Sequence, residues 1–112
     1  MIYQYQGIQV YYEVIGQGES LVLLHGFLES TKMWQPLVAE FKHSHQVISI
    51  DLLGHGQTGC IGYVHKMEDM AEMVLSLLKE LKISNAKFIG HSMGGYVALA
   101  INHMSPKMVQ GL

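Results

Sequence analysis

Five consecutive residues, Gly90-His91-Ser92-Met93-Gly94, have the types and spacing for nucleophilic chemistry. A serine hydroxyl works as a nucleophile only where it stands clear of the backbone. A sharp strand-to-helix turn lifts it there, but forces the residues two before and two after into close contact. Glycine at both places removes the side chains that would clash. A helix starting just after Ser92 aims free N–H groups and its positive end at the site where negative charge develops during acyl transfer. The competing reading is a glycine-rich turn with an incidental serine. A second short motif upstream, His25-Gly26-Phe27 at the end of another apolar run, weighs against it.

Other residues invite chemical roles and read better as structural. His25 alone reads as a histidine bracing its loop. Asp51, at a strand end, resembles a catalytic acid but fits a carboxylate holding its loop through backbone N–H groups. His43 and His45 are two apart with no third ligand near, so a solvated loop is expected there and no metal. His103 lies about 15 Å from Ser92 at helical rise, too far to act as its base. His91 is adjacent to Ser92, but it leaves the turn on another side and reads as structural. The 8 methionines read as adaptable core filler. The single cysteine, Cys60, excludes an intramolecular disulfide and fits a reducing compartment.

The elements that must position these residues follow from hydrophobic patterning. Residues 2–6 and 8–15 alternate and read as a hairpin around Gly7. Residues 20–24 end in an unbroken apolar run, as in a parallel strand covered on both faces, and residues 47–51 repeat that pattern. Between them Ser30 can cap a helix with Trp34, Leu37, Val38 and Phe41 on one face, which Pro36 limits or splits. A turn-rich loop, Leu52-Leu53-Gly54-His55-Gly56-Gln57-Thr58-Gly59, follows and continues through residues 60–64. Met67, Met70, Ala71, Val74, Leu77, Leu78 and Leu81 then mark an amphipathic helix, with Lys66 a poor cap. A strand at 86–89 enters the Ser92 turn. A buried helix leaves it, with Gly95 allowing close approach to the sheet, and stops before Pro106. Another apolar run starts at Met108.

Composition bounds the rest. The chain has 112 residues, enough for one small domain, and 49% apolar content is ample for a core. A net charge of −2 with no arginine argues against nucleic acid as a partner. No apolar run reaches membrane-spanning length, and the first residues lack a signal peptide's basic start, so no membrane association and a cytoplasmic location are expected.

The order strand, His-Gly-Phe, helix, strand, Asp-Leu-Leu-Gly-His-Gly-Gln-Thr, helix, strand, Gly-His-Ser-Met-Gly-Gly, helix resembles the N-terminal half of α/β-hydrolase-fold enzymes over residues 2–112. Among these it is most similar to small serine esterases and carbon–carbon bond hydrolases. The resemblance implies an α/β fold: a mostly parallel sheet with an antiparallel N-terminal hairpin and flanking helices. It implies Ser92 as nucleophile toward an ester, thioester or related acyl bond in a small molecule, with no cofactor. The N–H groups of Phe27 and Met93 would form the oxyanion hole, each such donor being worth about 3 to 4 kcal/mol of barrier. His25, Gly26, Gly90, His91 and Gly94 would support them. Serine rather than aspartate at the nucleophile position speaks against dehalogenase and epoxide hydrolase chemistry.

One departure is large. The family's triad runs Ser, then Asp or Glu, then His. The residues after Ser92 include His103 but neither Asp nor Glu. The expectation is therefore an incomplete domain over residues 1–112, inactive alone, marginally stable and prone to form homo-oligomers. Two alternatives stand beside it. One is a non-catalytic binding domain with a short acyl ligand near Phe27, Trp34 and Met93. The other is one half of a split enzyme, completed by a C-terminal half.

Overall fold

The two unbroken apolar runs do what their patterning predicts: they become the middle of a sheet covered on both faces. In the computed structural model, which describes residues 1–26, 29–53, 55, 58 and 66–112, β3 is Glu19–Leu24 and β4 is His45–Ile50. They pair in parallel, Leu24 opposite Ile50. Alternate side chains point to opposite faces. Val22, Leu24, Ile48 and Ile50 enter one core with Phe88, Val74 and Ile101, while Leu21, Leu23 and Val47 enter a second with Trp34 and Val38.

The predicted hairpin is β1 (Ile2–Tyr5) and β2 (Ile8–Ile15), antiparallel, with β2 continuing antiparallel onto β4. Pro36 splits the first helix as anticipated. A 3-10 turn, Thr31–Trp34, is capped by the Ser30 side chain accepting from Lys32 N–H, and α1, Gln35–Phe41, takes Pro36 in its first turn. There the missing N–H of proline costs nothing. The amphipathic helix is α2, Met67–Glu80. Met70, Ala71, Val74, Leu77 and Leu78 of its apolar stripe are buried, Met67 and Leu81 at its ends are half-buried, and Met73 joins the buried set. Lys66 has no acceptor to offer as a cap. Asp69 supplies one, its Oδ2 accepting Lys66 N–H at 3.0 Å.

β5 (Ala86–Gly90) lies parallel to β3, α3 is Met93–Met104, and a 3-10 turn, Pro106–Met108, leads to β6, Val109–Gly111. The strand order is β1-β2-β4-β3-β5-β6. The hairpin is antiparallel within itself and to β4, and β4, β3, β5 and β6 run parallel, which is the α/β architecture expected. Two expectations need correction. His45 belongs to β4 and not to a polar loop; its ring stands edge-on to Phe41 with centroids 5.6 Å apart. Gly95 is not the residue that brings α3 close to the sheet. A Cβ there would meet nothing nearer than Gly90 O at 3.6 Å, an ordinary contact. The loop expected over residues 59–64 lies outside the described residues.

Candidate active site

Parallel strands leave their C-terminal ends on the same edge of a sheet, where ligands commonly bind. Here the register Leu24 to Gly90 sets the ends of β3 and β5 side by side, so the two sequence motifs emerge as neighbours. His91 N–H donates to Leu24 O at 2.9 Å and stitches them together.

Ser92 caps the N-terminus of α3 with φ 55° and ψ −113°. L-residues rarely adopt this conformation, and holding one costs about 1–3 kcal/mol. The turn leaves no room for side chains on either flank. A Cβ on Gly90 would strike the Gly94 carbonyl and lie 2.5 Å from Gly95 N. A Cβ on Gly94 would strike the Leu24 carbonyl oxygen and lie 2.6 Å from His25 O. Gly94 is thus the close-approach residue between α3 and β3. The Ser92 carbonyl accepts from Gly95 N–H at 2.9 Å, and Gly94 N–H donates to His91 O at 2.9 Å. Met93, as the first residue of α3, carries an N–H that no carbonyl of its own helix can accept. Ser92 and Met93 are therefore where the sequence put them, at a sharp turn into a helix.

The other motif is half visible. Phe27, the second predicted oxyanion donor, lies outside the described residues. His25 is buried and braces its loop as read: Nδ1 donates to Gly26 O at 2.7 Å, and Nε2 accepts Leu52 N–H at 2.9 Å. Those partners fix a neutral ring with its proton on Nδ1. Burial pushes its pKa below the ordinary histidine value, in keeping with that state. Asp51 is buried and accepts a backbone N–H, as a structural carboxylate does: its Oδ1 accepts Thr31 N–H at 2.8 Å, tying Thr31 to the end of β4.

His91 does not idle beside the turn. Its Nδ1 donates to Glu29 Oε1 at 2.9 Å, and the same oxygen accepts Gly26 N–H at 2.9 Å. Glu29 escaped the sequence reading because its partner is 62 residues away. The hydrogen bond from His91 holds the Glu29 carboxyl below the ordinary carboxylate range, outweighing its desolvation. Trp34, expected beside a ligand, is instead packed in the core under α1.

An open apolar cleft of about 750 Å³ flanks Ser92, lined by Ile89, Tyr96, Leu99 and Leu112 among the described residues. Tyr96, Leu99 and Leu112 are largely exposed. Among the described residues no cluster of three potential metal ligands occurs, and no helix is long and apolar enough to cross a membrane.

Known proteins share this fold. The family model of the alpha/beta hydrolase fold matches residues 19–112. A relative from Acinetobacter baylyi, (E)-2-((N-methylformamido)methylene)succinate hydrolase, is 30% identical over 95 residues, covering 85% of this chain and 36% of the relative. Among solved structures, an alpha/beta hydrolase from a Medee basin deep-sea metagenome library superposes with a TM-score of 0.92 at 30% identity, over 97% of this chain and 41% of its own. Est816, described as an N-acyl homoserine lactone degrading enzyme, gives a TM-score of 0.93 at 30% identity, over 97% and 42%. The chain thus spans roughly two fifths of the length of the proteins it resembles.

Proposed function

This chain belongs to the alpha/beta hydrolase fold family, and on that premise we propose that it carries the nucleophile and oxyanion half of a serine hydrolase acting on ester, thioester, lactone or related acyl bonds. Hydrolase function in general agrees with its relatives. The observation that carries the finer reading is the backbone of Ser92. A residue held at φ 55° between two glycines that admit no Cβ is strained, and strain of that kind persists where function needs it. In the proposed reaction Ser92 Oγ attacks the acyl carbon. The carbonyl oxygen takes up the electron pair and is stabilised by the N–H groups of Met93 and Phe27. The proton of Ser92 passes to the triad base and from it to the alcohol or thiol that leaves as the adduct collapses to the acyl-enzyme; water activated by the same base then releases the acid and restores the Ser92 hydroxyl.

A base and an acid are needed to activate Ser92. His91 is engaged with Glu29, and His103 sits in the last turn of α3. We assign the triad acid and histidine to polypeptide outside this sequence, supplied by the same chain or by a complementing C-terminal half. The relatives are more than twice as long, which leaves room for both. The exposed apolar cleft beside Ser92 is the face such a segment would cover.

The test is turnover of p-nitrophenyl acetate, with labelling by a fluorophosphonate, before and after addition of the downstream half. The completed protein should turn over, and Ser92→Ala should lose at least about 10³-fold, as removal of a triad nucleophile does. Equal rates for the two proteins would end the assignment. Saturable acyl-ligand binding without turnover or labelling would favour the non-catalytic binding domain instead.

A further inference from the structure

We propose that Glu29 is a positioning residue that ties Gly26, just past β3, to His91 of the Ser92 turn, holding the proposed nucleophile in place beside the segment that leads to the proposed second oxyanion donor. The proposal rests on the hydrolase reading above for its catalytic meaning and on geometry for its existence.

One carboxylate oxygen, Glu29 Oε1, accepts both Gly26 N–H and His91 Nδ1–H, each at 2.9 Å. Glu29 N–H also donates to Gly26 O at 3.2 Å, so Gly26 and Glu29 hold each other reciprocally. The contact is close as well as polar. A Cβ on Gly26 would strike Glu29 Oε1 and lie 3.1 Å from both His91 Nδ1 and His91 O. Gly26 precedes Phe27, and His91 precedes Ser92. A single atom therefore ties the flank of one proposed oxyanion donor to the flank of the proposed nucleophile.

Stability alone explains this brace poorly. The Glu29 and His91 side chains are 32% and 57% exposed. Ion pairs that open to water contribute little to folding. An oxyanion pocket is different, because a displacement near 1 Å can cost about 10²-fold in rate. A brace across two loops that barely affects melting can govern turnover.

The experiment compares Glu29→Ala and Glu29→Gln with the parent, by ¹H–¹⁵N NMR of the chain and by p-nitrophenyl acetate kinetics of the protein completed by its downstream half. Glu29→Ala should move the Gly26, Ser92 and Met93 amides and lower kcat about 10- to 100-fold, with KM within about twofold. Its Tm should stay within about 2 °C of the parent, as for an exposed pair. Glu29→Gln keeps the acceptor oxygen and should restore both readouts, while His91→Phe, which removes the other end, should reproduce the loss. Unmoved Ser92 and Met93 amides in Glu29→Ala, an unchanged kcat despite moved amides, or no rescue by glutamine would each overturn the proposal. If the parent and Ser92→Ala turn over equally, the hydrolase reading fails by itself, and the amide shifts still decide whether the brace exists.

Discussion

Exchanging single glycines for alanine at positions 94 and 95 puts the turn's geometry to a quantitative test. The residues are adjacent and both lie in the first turn of α3. At Gly94 the new Cβ would meet the Leu24 carbonyl and lie 2.6 Å from His25 O. Both partners are backbone, one anchored in the central strand β3, so neither yields cheaply. Reaching an ordinary contact of about 3.4 Å with the Leu24 oxygen requires α3 and β3 to part by more than about 1 Å, and overpacking on that scale costs about 3 kcal/mol or more. At Gly95 the nearest atom would be 3.6 Å away, so the new methyl fits. The helix propensity of alanine over glycine then favours the variant by about 0.5–1 kcal/mol. For 112 residues the unfolding entropy is near 0.24 kcal/mol/K, so Gly94→Ala should lower Tm by about 12 °C or more and Gly95→Ala should raise it by about 2–4 °C. Calorimetry or circular-dichroism melts at matched concentration read both. Equal responses, or a neutral Gly94→Ala, would refute the close approach of α3 to β3 and with it the sharpness of the turn.

Three further outcomes follow from the same geometry. Ser92→Gly should gain about 1–2 kcal/mol by relieving the strained φ, whereas Ser92→Ala, which keeps a Cβ, should leave stability near that of the parent; urea melts of both decide it. His25 should remain neutral in the fold below the pH at which it charges in the unfolded chain, because burial lowers its pKa from 6.5. The unfolded state then binds the extra proton, so stability is complete above about pH 6.5 and falls on acidification by up to about 1.4 kcal/mol per pH unit. Side-chain ¹⁵N shifts placing the His25 pKa at or above 6.5 would contradict this. Finally, the 112-residue chain alone should self-associate through the cleft face, and Leu99→Lys, on a side chain 52% exposed, should shift sedimentation toward monomer. A sharp-melting monomer of the parent sequence would refute that.

What could be read beforehand was whatever depends on near neighbours in sequence. The unbroken runs in β3 and β4 announce strands covered on both faces. The 3-4 spacing in α2 announces its buried stripe, and Pro36 marks where a 3-10 turn gives way to α1. The turn at Ser92 was legible for the same reason, since its steric demand falls on residues two positions away. Distant pairings carry no such signature. Thr31 N–H finds Asp51 across 20 residues, Tyr11 N–H finds Thr58 Oγ1 across 47, and Glu29 finds His91 across 62. In each case the residue type was ordinary and only the sheet order brought the partners together.

That division also explains the error at Gly95. Two glycines side by side look alike in a sequence, and either could serve a helix packed on a sheet. Only the position of the Leu24 carbonyl distinguishes them, and that position is set by the parallel register of β3 with β5. The same register aligns Leu24 with Gly90, letting His91 N–H reach Leu24 O and the His91 ring reach Glu29. Slipping β5 by one residue against β3 would separate all three contacts and turn Phe88 out of the core. The chemistry proposed for Ser92 therefore depends on strand pairing as much as on the five residues that first suggest it.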